Sequence, residues 1–289
     1  MINFFIYILI PIVALTFFSS PVLSAEEEVD LKKYESVLGN GEKFMQKMSD
    51  KAVSTYKKMN SSEKLTEKEF NYENSDYKVR VSRGDVLEKA AALTATIKKA
   101  IPPMIPEPLV SRYLQIDIYP KTPLVGMLHV AMTFSVYKSG MTMVGGTMDI
   151  APGTIIKEDL DEISKVMEEV VKRHKGDLEK YRSKLLKGEH RERLKGAGVG
   201  LSFYAQPFLE LTQENMNFVK DAVETQFDSY IKLIDKRKND KYAQSDIDEM
   251  FAMRRRWLEK EFFWDKFPSL GITPYEVWSL QDLPPEVRF

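Results

Sequence analysis

A histidine at position 129 stands in the middle of a largely apolar run, Val125 to Val136, and an aspartate at 149 stands near the end of a second one, Met141 to Ile150. Imidazole is the side chain that gains or loses a proton near neutral pH. A carboxylate in apolar surroundings must find hydrogen-bond donors, or its burial destabilises the fold. Each residue also has a structural reading, His129 as a satisfied core histidine and Asp149 as a turn or cap residue. Arg254-Arg255-Arg256 lies beside Trp257, and a guanidinium grips a carboxylate with two parallel hydrogen bonds. A lone triplet of arginines is equally at home on a solvated edge, and it is short for a nucleic-acid footprint.

The composition removes other chemistries. There is no cysteine, so thiol nucleophiles, zinc fingers and iron–sulfur clusters are excluded and no disulfide stabilises the fold. The 42 basic and 43 acidic residues nearly cancel, leaving no overall field for nucleic acid. No P-loop, no H-E-x-x-H and no G-x-S-x-G elbow is present. Gly196-Ala197-Gly198-Val199-Gly200 is glycine-rich, but it precedes a strand pattern instead of opening a helix, so it is no dinucleotide loop.

The elements that must position these residues follow from hydrophobic period. Leu31 to Met59 has helical spacing, and Asn60 to Asn74 reads as a loop. Tyr77, Val79 and Val81 alternate with Lys78, Arg80 and Ser82 as in a half-buried strand, and Val86 to Ile97 is ambiguous between helix and buried strand. Tyr113 to Tyr119 alternates again. Val125 to Val136 and Met141 to Ile150 form a hairpin turned by Lys138-Ser139-Gly140. Lys157 to Leu186 reads as one amphipathic helix, with His174 on its packed face or capping it, and Gly198 to Phe203 as a strand. Thr212 should cap a helix reaching Lys236, Ser245 with Asp248 a further one, and Thr273-Pro274-Tyr275-Glu276 a short last one. Trp257 to Trp264 reads as strand. The expected class is α+β, a large antiparallel sheet flanked by helices on both faces.

Met1 to Ser24 carries no charge and small residues follow, so residues 1–24 read as a signal peptide of an exported protein, with 25–289 as a single domain. The alternative is a segment retained as a membrane anchor, since about 20 apolar residues can span a bilayer.

A collinear series of motifs resembles the oxygen-dependent coproporphyrinogen III oxidase family. Arg254 to Glu259 with Phe262 to Lys266 is similar to R-x-G-R-Y-V-E-F-N-L-V-x-D-R-G-T, and Leu283 to Phe289 to its L-P-P-x-x-R-W. Glu88-Lys89-Ala90 matches F-E-K-A-G, Ile101-Pro102-Pro103 matches L-P-P, and Pro120 to Pro123 resembles H-P-R-N-P. His129 falls in V-H-M-N-x-R, Val144 to Pro152 resembles F-G-G-G-x-D-L-T-P, Arg173 to Gly176 resembles D-R-H-G, and His190-Arg191 resembles H-R-G-E-x-R-G. The order holds from about residue 35 to the end.

The resemblance implies oxidative decarboxylation of two propionates of coproporphyrinogen III to vinyls, with dioxygen as co-substrate and neither metal nor organic cofactor. It makes Asp149 the acceptor of pyrrole N–H groups and His129 a proton donor or acceptor. Arg256, Lys195, Arg191 and Gln115 become substrate-binding positions. Proposed metal ligands of bacterial members fall on Tyr119, His129, Glu162 and His190, but no metal is expected here. A homodimer through the C-terminal region is implied, with Trp257, Phe262, Phe263 and Trp264 supplying apolar surface.

The departures sit among these positions. Ala131 and Thr133 replace the family's asparagine and arginine after His129, Gln115 replaces a serine, and Lys195 replaces an arginine. The G-G-R loop is shortened to Ile272-Thr273-Pro274-Tyr275, and Lys266 joins Arg191 and Lys195 as a substitute cation. Two functions therefore stay open: an exported oxidase, or a binding protein that captures a tetrapyrrole without turnover.

Overall fold

The computed structural model describes residues 29–100, 105–183, 197–204, 207–263 and 273–289. Seven strands form one antiparallel sheet in chain order: β1 (Thr66–Asn71), β2 (Ser75–Ser82), β3 (Leu87–Ile97), β4 (Pro108–Pro120), β5 (Met127–Tyr137), β6 (Thr142–Ala151) and β7 (Val199–Ser202). Successive side chains of a strand point to opposite faces, so the sheet sorts its residues by parity. One face carries Ala90, Ala92, Leu114, Ile116, Ile118, Leu128, Val130, Met132 and Phe134, and holds the main core. Three helices cover it: α1 (Glu35–Met59), α2 (Lys157–Arg173) and α4 (Gln213–Arg237). Gly41 of α1 sits so close to Phe134 that a Cβ there would fall 2.6 Å from the ring, which explains why the helix has a glycine at that point.

The opposite face is covered differently. Tyr77, Val79, Val81, Ala91, Leu93 and Ala95 pack against Val277 of α6 (Tyr275–Gln281). Tyr119, Met127 and Ala151 pack against Met253 and Trp257 of α5 (Gln244–Phe263). The α+β class with helices on both faces, expected from the sequence, is what the chain adopts.

Several local expectations give way. Residues 60–74 are not all loop: Thr66–Asn71 pairs with β2 as an edge strand, and its exposed charged side chains hid it from a hydrophobic pattern. Val86 to Ile97 resolves to strand. The long helix from Lys157 breaks after Arg173, where Lys175 takes a left-handed conformation (φ 52°), and α3 (Leu178–Ser183) follows. His174 occupies the cap at that break, stacks on Phe218 at 4.8 Å and pairs through Nε2 with Asp221 at 2.9 Å. Trp257 is helical, not strand, because Met250, Met253, Arg254 and Trp257 form one buried stripe at the helical period. The cap of α5 also moves: Ala243 N–H donates to Asp246 Oδ2 at 2.8 Å, and Thr154 Oγ1 donates to Asp246 Oδ1 at 2.9 Å, so Asp246 does what was expected of Ser245 and Asp248. Helix α6 starts one residue later than expected, with Pro274 at the cap and no side-chain bond. Thr212 caps α4 as expected, accepting from Asn215 N–H at 3.1 Å.

Candidate active site

The register of the central strands places the polar residues of the second face in rungs. Ala91 pairs with Asp117, Asp117 with His129, His129 with Asp149, and Asp149 with Gly200. His129 and Asp149 therefore share one face as direct cross-strand neighbours, with Asp117 on the other side of the histidine. All three are buried, both aspartates completely and His129 at 7% exposure. Gly200 makes the end of this rung tight: its φ is 147°, a region side chains avoid, and a Cβ there would lie 1.9 Å from the Met148 carbonyl oxygen.

Burial of these charges requires donors, and the structure supplies them. His129 Nδ1 lies 2.8 Å from Asp117 Oδ1. Gln115 Nε2 donates to Asp117 Oδ2 at 2.7 Å, and Gln281 Nε2, from the end of α6, donates to the same oxygen at 2.8 Å. Gln115 Nε2 also donates to Asp282 Oδ1, while its Oε1 accepts from the Tyr113 hydroxyl at 2.9 Å. Thr147 Oγ1 donates to Asp149 Oδ2 at 3.3 Å. The Trp257 ring, 5.2 Å from the imidazole centroid, closes the histidine from the α5 side.

The next rung, toward the end of the sheet, is cationic. Lys89 is fully buried; its Nζ donates to the Leu283 carbonyl and lies 5.9 Å from the centre of the Tyr119 ring. Burial pushes the Lys89 ammonium down to about 8, against the opposing pull of the Asp282 and Asp117 carboxylates. The Tyr119 hydroxyl donates to the Asp282 carbonyl at 2.6 Å. The segment Gln281–Leu283 is thus held to the site face by Gln115, Lys89, Tyr119 and Asp117 together.

Of the site residues expected from the sequence, His129, Asp149 and Gln115 come together on this face. Arg256 is half-buried on α5; its Nη2 lies 3.5 Å from the Pro152 carbonyl, three residues beyond Asp149, and burial lowers its pKa. Arg254 is the more deeply buried arginine, with Nη2 on Glu88 and its ring neighbour Phe251 at 5.4 Å. Arg191, Lys195, His190 and Lys266 lie outside the described residues. Glu162 is not at this site: it is on α2, against the other face, 3.2 Å from Lys236 Nζ. Among the described residues no three His, Asp or Glu side chains converge as metal ligands. Trp257 is buried within its own chain, so it is not part of an apolar surface for a second copy.

Asp117, Gln281 and Asp282 were not singled out by sequence reasoning, and Lys89 only as part of the Glu88-Lys89-Ala90 motif, not as a site residue. A signal for the first existed: Gln115, Asp117 and Tyr119 alternate with Ile116 and Ile118, and in a strand flanked by two others the polar positions are as enclosed as the apolar ones. The departures Ala131 and Thr133 follow His129 on the same face. Ala131 lies between Gln115 and Thr147, and the Thr133 hydroxyl donates to the Arg112 carbonyl at 3.0 Å.

A groove of about 440 Å³ opens elsewhere, between α1 and strands β1 to β4. Its charges are already matched, Arg112 with Glu42 at 2.8 Å, Lys98 with Asp76 at 2.9 Å and Lys78 with Glu67 at 2.7 Å.

The family profile described as Coproporphyrinogen III oxidase matches residues 40–289. The oxygen-dependent coproporphyrinogen-III oxidase of Francisella philomiragia subsp. philomiragia is 23% identical over 211 residues, which cover 66% of this chain and 67% of that protein. Its counterpart in Francisella tularensis subsp. novicida is 25% identical over 169 residues, 55% of this chain and 54% of that protein. The chain thus spans about half the length of this second relative.

Proposed function

Because this chain belongs to the coproporphyrinogen III oxidase family, we propose that it carries out the oxygen-dependent oxidative decarboxylation of coproporphyrinogen III, or of a closely related tetrapyrrole, in haem biosynthesis. The observation that supports this reading most is the buried cross-strand pair His129–Asp149 on one face of the sheet. In each step a propionate loses carbon dioxide, the electrons of the broken C–C bond form the vinyl double bond, and a hydride equivalent leaves the carbon next to the ring. Two such steps deliver four electrons, which with four protons reduce one dioxygen to two waters.

In this proposal Asp149, already held by Thr147, accepts pyrrole N–H groups and so orients the ring by its centre. His129, next to it, exchanges the proton. Arg256, with Arg191 and Lys195, holds propionate carboxylates, and Gln115 acts by holding Asp117. Dioxygen is the co-substrate, and no metal or organic cofactor is invoked.

The reading further includes export, supported by the uncharged apolar stretch of residues 1–24, with retention as an anchor the alternative. No helix among the described residues is long and apolar enough to cross a membrane. A homodimer is proposed on family likeness alone.

The test is turnover in air. Purified protein given coproporphyrinogen III should release carbon dioxide and yield a product that oxidises to protoporphyrin, and Asp149→Ala should slow this by about 10²-fold or more while circular dichroism stays unchanged. A porphyrin absorbance shift without carbon dioxide would instead identify a binding protein and end the enzymatic proposal.

A further inference from the structure

Asp117, the carboxylate on β4 that Gln115 holds, makes no substrate contact in the reading above but touches the His129 imidazole itself. We propose that Asp117 is a positioning residue: by accepting the Nδ1 proton of His129 it fixes the imidazole so that proton exchange occurs at Nε2. The inference rests on the reading above, in which His129 moves a proton.

Asp117 is completely buried, and its Oδ1 is 2.8 Å from His129 Nδ1. A carboxylate only accepts, so whether the ring is neutral or cationic, Nδ1 carries a proton and Nε2 is the nitrogen whose protonation can change. The other oxygen, Oδ2, accepts from Gln115 Nε2 (2.7 Å) and Gln281 Nε2 (2.8 Å). These two amides prevent rotation of the carboxyl group and donate to the oxygen that His129 leaves free. Gln115 is itself oriented: its Oε1 accepts from Tyr113 and its Nε2 also reaches Asp282, so reversing the amide would set a carbonyl oxygen against a carboxylate. The ring plane is held from the other side by Trp257 at 5.2 Å. A carboxylate–histidine pair built this way sets tautomer and direction, as buried aspartates do for other catalytic histidines.

The geometry also makes Asp117→Asn a specific perturbation. Gln115 and Gln281 both donate toward Oδ2, so the amide oxygen of an asparagine takes that place and its NH2 turns to His129. An NH2 group donates, Nδ1 must then accept, and the proton of the neutral ring moves to Nε2.

Two readouts decide. The chain has three histidines, so the 15N imidazole resonances of His129 are assigned by comparison with His129→Gln. The wild type should show Nδ1 protonated at every pH at which the fold is intact, and Asp117→Asn should show the opposite tautomer in its neutral ring. In turnover, Asp117→Asn should lower kcat by about 10²-fold with KM within about twofold, a split that simple loss of packing does not produce. A wild-type neutral ring protonated at Nε2 overturns the proposal even if the variant cannot be folded. An Asp117→Asn protein with unchanged His129 resonances, or with undiminished kcat, overturns it as well. Absence of oxidase activity in the wild type would sink the proposed function alone, since the imidazole spectra test the Asp117 assignment without substrate.

Discussion

Lys89 turns a feature of the site face into a measurable pH dependence. Its ammonium titrates near 8 in the folded chain against an ordinary value of 10.5, because burial outweighs the nearby Asp282 and Asp117 carboxylates. The difference amounts to about 3 kcal/mol of penalty for keeping the lysine charged in the fold. The sign follows from proton counting. Between the two pKa values the unfolded chain holds more protons than the folded one, so stability rises with pH across that window, and below it the penalty is fully present. Between pH 7.5 and 9.5 a single such site contributes a gain of about 2 kcal/mol. Other groups titrate there too, so the quantity to measure is the difference in urea-unfolding free energy between wild type and Lys89→Met, followed by tryptophan fluorescence at half-unit steps. That difference should shift in favour of the wild type by about 2 kcal/mol over the interval. A difference that stays flat to within about 0.5 kcal/mol would refute the account, and would mean that Lys89 reaches solvent or stays paired in a way that holds its ordinary pKa.

Two further predictions concern the helix that covers the opposite face. Gln226 of α4 is completely buried and neither its Nε2 nor its Oε1 has a hydrogen-bond partner among the described residues, so Gln226→Met should raise stability by about 1–2 kcal/mol in chemical unfolding; a less stable variant would show that the amide is satisfied. The Tyr230 hydroxyl donates to the Gly126 carbonyl at 2.6 Å and lies 3.3 Å from that of Ile118, so Tyr230→Phe should cost about 1–3 kcal/mol by leaving buried carbonyls unbonded, and an unchanged melting curve would contradict that.

How much of this was legible depended on whether a residue's environment is set by its own element. The hairpin of β5 and β6 shows in sequence because both strands are apolar over their length, and its alternation already puts His129 and Asp149 in enclosed positions. Their placement on one face is a matter of register, which the short Lys138–Gly140 turn makes readable in retrospect: His129 and Asp149 are equidistant from its centre. Asp117 was legible only as a polar position alternating with Ile116 and Ile118; its burial was not, because a carboxylate in β4 looks exposed until the strands on both sides and α6 above are known. Gln281 and Asp282 were further out of reach, since they join the site only through docking of the C-terminal segment onto a sheet some 160 residues earlier in the chain. The strand reading of Trp257 failed for a related reason: its aromatic neighbours have high strand propensity, and the helical stripe of Met250, Met253 and Trp257 was outweighed by it.

The altered family positions bear on binding more than on chemistry, and distance along the strand shows why. Thr133, where an arginine would stand, is four residues from His129 on β5, about 13 Å at the usual strand rise. In the proposed binding mode, with the ring centred over the His129–Asp149 rung, a cation there would reach the ring's periphery and not the rung itself. On that proposal its loss would remove a charge-assisted contact to a carboxylate, worth about 1.5–3 kcal/mol, and weaken substrate and transition state alike. Ala131, one rung nearer, replaces a polar side chain by a small one and leaves the bonds of Asp117, Thr147 and Gln115 intact. The cations near the site that the structure describes, Lys89, Arg254 and Arg256, gather at the opposite end, by the start of β3 and the end of β6. Charge on this face is therefore lopsided, with carboxylates across the middle rung and cations along one edge. A molecule with N–H groups at its centre and carboxylates on its rim matches that distribution when the propionates to be processed point toward α5.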